Sequence, residues 1–179
     1  MNFHDELRRT YVGAAPHTLI IGLIWVISGF IVNLTSKEFS IIFFFLASGV
    51  NFPLGELVRK LMGVNNLLSQ ENNLPKLFTY LSFTIPLSLP VVYMACKSNI
   101  NWFFPAFAVI VGAHYLPFIW AYKMPTFGIL GALILFIGVI CALLFSEYFS
   151  IAAYLTGSTM IIFAIVHYLI VKKELKTIS

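Results

Sequence analysis

Charge is what this sequence has least of: only 10% of its 179 residues are Asp, Glu, Lys or Arg, where a soluble globular domain carries roughly 25%. A chain so poor in charge, and 60% hydrophobic, cannot hide its apolar surface in a water-soluble core of this length. That excludes an ordinary soluble domain and makes lipid the solvent for much of the chain. Cysteine is nearly absent: Cys96 and Cys141 are too few for a disulfide scaffold and show no metal-binding spacing. Also missing are a Ser-His-Asp order, HExxH, a Gly-rich phosphate loop, CxxC, an arginine-bearing voltage-sensor helix and a potassium-filter signature. No cofactor is therefore expected.

What is present is aromatic and apolar. Aromatic residues make up 16% of the chain, with 18 Phe, and the mean hydropathy is +0.92; both suit lipid-facing and interfacial positions. The formal charge is +4, but the basic residues sit at the ends of apolar runs, where they act as topology anchors. They form no phosphate-binding face, so no nucleic-acid partner is expected. Near the amino terminus, residues 2–15 read either as a short interfacial helix, with Asn2 as cap and Asp5 and Glu6 in its first turn, or as a loosely ordered tail. The first apolar run is too long for a cleaved signal peptide and lacks a small-residue cleavage site.

Six apolar segments follow, at about 17–33, 39–58, 75–96, 101–122, 125–145 and 148–171, each near the ~20 residues that cross a hydrocarbon layer. Pro16 suits the first turn of the first segment. Arg59 and Lys60 close the second, and a polar, Asn-rich loop from Gly63 to Asn73 leads to the third. Pro86 and Pro90 inside the third are expected to kink or break it, freeing backbone carbonyls. Six spans put Arg8, Arg9, Arg59, Lys60, Lys76, Lys123, Lys172, Lys173 and Lys176 on one side and only Lys37 and Lys97 on the other. By the positive-inside rule both termini are cytoplasmic. The expected fold is an all-α, polytopic transmembrane bundle of six helices forming a single integral membrane domain over 1–179.

Small residues seven apart mark packing seams: Gly22 and Gly29 in the first span, Gly131 and Gly138 in the fifth, Gly157 and Ala164 in the sixth. The even-numbered spans also echo one another. Each carries a polar–aromatic pair in its inner half: Asn51-Phe52, His114-Tyr115 and His167-Tyr168. The second and fourth share Gly-x-polar-aromatic, Gly49-Val-Asn-Phe and Gly112-Ala-His-Tyr, each with a proline soon after, Pro53 and Pro117. A tripled helical hairpin would leave such a trace, and membrane transport folds built from repeats place sites at repeat interfaces.

A polar side chain inside a membrane span is a functional-site candidate by default. The candidates for ligand binding or a proton relay are Asn51, His114, Tyr115, His167 and Glu56. If the even spans converge, Asn51, His114 and His167 line one pocket in the cytoplasmic half. The bland alternative is that each histidine makes one interhelical hydrogen bond. No metal is expected, although His17, His114 and His167 are the residues that would ligate metal or haem if one were bound. Glu56, three and four residues before Arg59 and Lys60, has the spacing of a helical ion pair closing the second span, with proton coupling as the sharper reading.

The segment Gly112-Ala-His-Tyr-Leu-Pro-Phe, a Gly-x-His-Tyr-x-Pro-Phe motif followed by an aromatic helix end and a Gly-rich span, resembles a group of small uncharacterised multi-span bacterial membrane proteins. The resemblance spans the chain; it implies a bacterial cell (cytoplasmic) membrane location and no mechanism. The leading function is a transporter-like or ligand-binding membrane protein. A membrane-embedded metal- or haem-dependent enzyme ranks second, and an accessory or immunity-type protein acting through helix–helix partner binding third. The expected partners are the lipid bilayer and a small molecule or proton, with a second copy of the chain a further candidate.

Overall fold

The computed structural model describes residues 2–176, with side chains through Glu174; Lys176, one of the nine cations counted above, lies outside the described side chains, and residues 1 and 177–179 of the expected domain lie outside the description. Among the described residues the fold is all-helical. A short helix, α1 (Phe3–Thr10), precedes α2 (Ala15–Ile31), α3 (Lys37–Gly49), α4 (Asn51–Leu61) and α5 (Leu74–Ser98). A single 3-10 turn (Ile100–Trp102) then leads into α6 (Phe103–His114), α7 (Leu116–Tyr122), α8 (Thr126–Leu144) and α9 (Ile151–Lys176). Five stretches are long and apolar enough to cross a membrane: Val12–Ile31, α5, Ile100–Tyr122, α8 and Ile151–Glu174. The sixth is the pair α3–α4, bent by 51° at Val50.

That bend divides the second span, expected over about 39–58, into two helices. Pro53 has no N–H to donate to the Gly49 carbonyl, and a proline is accommodated most easily in the first turn of a helix, where the chain restarts as α4. The fourth span is interrupted in the same way at Tyr115, where Pro117 cannot bond the Ala113 carbonyl. The third span departs in the other direction: α5 runs unbroken through Pro86 and Pro90. Hydroxyls steady it locally, Ser82 donating to Thr79 O, Thr84 to Leu81 O and Ser88 to Ile85 O, at 2.6–2.7 Å.

The expected small-residue seams are where helices come closest. A Cβ built on Gly22 would lie 2.9 Å from the Gly157 carbonyl oxygen, and one on Gly29 would meet Ala153 and Tyr154, so α2 and α9 pack backbone to backbone. Tyr154 Oη then donates to Gly29 O at 2.8 Å. In the second seam, Gly112 and Gly131 each place the other's carbonyl 2.7 Å from a built Cβ, and Gly138 sits on Pro105 O, joining α6 to α8. Within the first hairpin, Ser40 Oγ donates to Ser28 O at 2.6 Å. In a bundle that lipid solvates, close packing and such bonds substitute for the hydrophobic drive.

Packing of neighbours arranges the six segments as an open ring: α3–α4, α2, α9, α8, α6–α7, α5. Its two free edges are α3–α4 and α5, which do not pack on each other as the other neighbours do. Of the 25 residues of α5, only Val92 is buried. Trp25, Phe44, Phe103, Phe104 and Phe107 form the aromatic core of one half, with Trp25 and Phe44 in edge contact at 5.1 Å.

The opposite end is closed by α1. Asn2 Oδ1 caps it at Asp5 N, 2.9 Å, as the interfacial-helix reading requires. The buried Glu6 carboxylate accepts from Ser69 N, Ser69 Oγ and Asn72 Nδ2 at 2.9–3.0 Å, and Thr10 Oγ1 accepts from Leu67 N at 3.0 Å. The polar 62–73 loop is thereby folded beneath α1. Arg8 bridges to Glu174 at 3.1 Å, and His4 Nδ1 donates to Ala121 O at 3.0 Å. The ends of α7 and α9, the start of α5 and the 62–73 loop thus meet around α1. Between α1 and α2, Val12, Gly13 and Ala14 are all left-handed, with φ of 53°, 58° and 57°. For the β-branched Val12 this is a strained conformation, costing about 1–2 kcal/mol.

A candidate ligand pocket between the free edges

The open ring encloses a cavity of about 830 Å³, walled by α2, α3–α4, α5 and α6–α7. Its size lies within the ~300–1,000 Å³ usual for small-molecule sites. Phe44, Phe107 and Trp25 form its floor on the aromatic-core side, and Phe78, Phe118 and Tyr122 line the end nearer α1. Lining residues on both free edges, Gly49 and Phe52 on one and Thr79, Ser82 and Pro86 on the other, are exposed on the outside of the bundle. The cavity therefore opens sideways, through the gap between α3–α4 and α5.

Several sequence candidates meet here. Asn51 stands at the start of α4, just after the Val50 bend, and His114 and Tyr115 stand at the α6–α7 break; all three line the cavity. Both proline-interrupted Gly-x-polar-aromatic segments thus contribute walls, because each break turns its polar residue out of a continuous helical ladder. The Thr84 hydroxyl donates to Leu81 O, so its oxygen accepts from His114 Nδ1–H at 3.1 Å. In that arrangement the Nδ1–H tautomer leaves His114 Nε2 as an acceptor. Asn51 Oδ1 and Ser48 Oγ are buried without a hydrogen-bond partner.

His17 joins the site from α2. Its ring lies over Gly55, where any Cβ would collide with it, and packs 5.4 Å from Phe52 and 5.9 Å from Tyr11, centroid to centroid. Its Nε2 is 3.6 Å from Glu56 Oε1. Glu56 stands behind the wall, and Arg59 holds its other oxygen through Nε at 3.0 Å and Nη2 at 2.8 Å while donating to Val64 O at 2.7 Å. The Glu56–Arg59 ion pair at the end of the second span is present as its spacing suggests.

His167 lies elsewhere. It is fully buried in α9, its ring 4.2 Å from that of Phe127 and 6.0 Å from that of Phe163, and it does not line the cavity. Its two nitrogens lack partners in hydrogen-bond geometry, although the Gly13 backbone approaches. Its segment has no proline, and α9 runs through it unbroken. Among the described residues no three of His, Cys, Asp and Glu are gathered as metal ligands, so His17, His114 and His167 do not converge on an ion.

Sequence reasoning passed over His17 as a cavity residue, along with Tyr11, Ser48, Thr79, Ser82 and Tyr122. No local spacing connects His17 to Glu56. A usable signal lay in the prolines: each removes the donor to the carbonyl four residues earlier, and those of Gly49, Ser82 and Pro86 belong to lining residues.

Five or six helices of membrane-spanning length and composition, packed by glycine seams around a side-opening cavity, define the class: an all-helical, multi-pass membrane protein. Within that class, residues 1–170 match the family of unknown function DUF7010, and the chain belongs to it. No curated protein and no solved structure matches the chain.

Proposed function

We propose that this protein binds a small ligand in the cavity between its free edges, in a transporter-like or receptor-like role, within the bacterial cytoplasmic membrane. The observation that carries the proposal is the convergence of His17, Asn51, His114 and Tyr115 on one cavity in which His17 Nε2, Ser48 Oγ and Asn51 Oδ1 lack hydrogen-bond partners. A buried polar group without a partner costs about 1–3 kcal/mol, and a ligand that supplies the missing bond recovers it. The clustering of eight described cations at the end closed by α1, against Lys37 and Lys97 at the other, supports a cytoplasmic placement of that end and of both termini. The pocket then lies in the half toward the cytoplasm, with Glu56 and His17 as the proton-accepting groups beside it.

The test is ligand-dependent stabilisation of the purified protein. A compound that binds only the folded protein raises its melting temperature in proportion to RT ln(1 + [L]/Kd). Screening a small-molecule panel yields stabilising compounds whose shift disappears in the double variant Asn51→Ala/His114→Ala. A double variant that keeps the whole shift for every hit overturns the reading.

A further inference from the structure

The described lining of the cavity carries no formally charged side chain, and several of its acceptors lack a protein donor. Among its described lining residues there is no Lys, Arg, Asp or Glu. Arg59, beside Glu56 behind the wall, is engaged by the Glu56 carboxylate and the Val64 carbonyl. The acceptors are the unpartnered Asn51 Oδ1, the Nε2 of His114 in its Nδ1–H tautomer, and the carbonyls of Gly49, Ser82 and Pro86, which lose their i+4 donors to Pro53, Pro86 and Pro90. The rest of the lining is mainly aromatic and aliphatic, with the His17 imidazole and the hydroxyls of Thr18, Ser48 and Thr79 among it, and the mouth opens between two helices, toward lipid. A soluble ion would meet no counter-charge here and would have to shed its hydration, which is expensive. A phosphate would find no cation to hold it.

We infer that the pocket takes an uncharged, hydroxyl-bearing amphiphile, of the single-chain polyol-headed class, which enters sideways from the bilayer between α3–α4 and α5. The head group donates to Asn51 and His114 at the two helix breaks, and the chain lies against Trp25, Phe44 and Phe107. The inference rests on the ligand-binding reading above and narrows it to a substrate class. The exposed face of α5, with its single buried residue, is the side of the gap with the least packing to lose when the ligand passes.

Trp25 supplies the probe, being buried and part of the lining. With Trp102→Phe and Trp120→Phe it is the sole tryptophan. The protein is placed in phosphatidylcholine nanodiscs and titrated with a monoacylglycerol brominated in mid-chain. Parallel titrations use the same chain on glycerol phosphate and on a primary ammonium. The monoacylglycerol quenches Trp25 saturably, and each charged analogue needs at least about tenfold more. Gly49→Leu tests the site without threatening the fold, because a Cβ at Gly49 has nothing within 4 Å; it weakens quenching by the monoacylglycerol at least about tenfold. Equal quenching by all three head groups overturns the inference, as does Gly49→Leu behaving like the parent.

A second measurement separates this inference from the reading beneath it. Ser48→Cys, with Cys96→Ser and Cys141→Ala, is treated with a membrane-impermeant methanethiosulfonate. Reaction from water, together with no quenching by the monoacylglycerol, leaves the ligand pocket and removes the lipid-side entry. No reaction and no quenching removes both. Quenching by the monoacylglycerol that also protects Ser48→Cys from a lipid-soluble maleimide supports the inference.

Discussion

Gly55 of α4 lies flat against the imidazole of His17 in α2, so close that any side chain there would overlap the ring. This contact sets the approach of the second span to the first. It also brings His17 Nε2 to 3.6 Å from Glu56 Oε1, so one small residue positions both the cavity wall and the Glu56 carboxylate behind it.

Gly55→Ala therefore forces the two helices apart, with an expected loss of about 1–3 kcal/mol. Combining it with His17→Ala removes the obstacle and recovers most of that loss. A double-mutant cycle on thermal unfolding in detergent measures the coupling; additive effects would show that the contact does not set the helix spacing.

Gly112→Val acts on the α6–α8 seam. Its side chain meets the Gly131 carbonyl oxygen, 2.7 Å from the built Cβ, and the Leu135 backbone nitrogen at 2.8 Å. Backbone cannot move aside as a flexible side chain can, so the cost is about 3 kcal/mol or more. Gly49→Val, facing open space, is the matched control, and the ratio of monodisperse to aggregated protein on size exclusion reports the difference.

Left-handed backbone at Val12, Gly13 and Ala14 makes opposite predictions at adjacent positions. Gly13→Ala places an L side chain in that region and against Met124 Sδ at 2.9 Å, destabilising by about 1–2 kcal/mol or more. Ala14→Gly relieves strain of about the same size, partly offset by greater freedom of the unfolded chain. Melting temperatures should bracket the parent from both sides.

Acidification should release α1 from the 62–73 loop. The Ser69 N–H, then the Asn72 amide, hold the Glu6 carboxyl below its ordinary value. A depressed folded-state pKa contributes stability that is complete above the ordinary carboxylate range and is lost as pH falls through the lowered value. Hydrogen exchange at the Ser69 amide, followed from neutral pH to below pH 4, should show protection falling in the parent. Glu6→Gln should give lower, pH-independent protection; a pH-independent parent would count against this account of the contact.

Much of the architecture is legible along the chain because its causes are local. Low charge and ~20-residue apolar runs require spanning helices, since lipid offers no partner to an unpaired backbone. Gly22, Gly131 and Gly157 announce close approach by their own smallness. The breaks at Val50 and Tyr115 were present in the sequence as Pro53 and Pro117, each four residues after a carbonyl it cannot serve. The same rule applied without context fails for α5, where Pro86 and Pro90 leave the helix unbroken.

By itself the sequence determined the solvent, the all-helical class, the seams and the polar residues to watch, all of which depend on residue type and spacing within one segment. Only the tertiary structure decided that Asn51 and His114 share a cavity while His167 is packed between Phe127 and Phe163, and that His17 belongs at the wall. Those outcomes depend on how each helix is rotated and which helices are neighbours in the ring. Contacts between distant segments set both, and neither leaves a period in the chain.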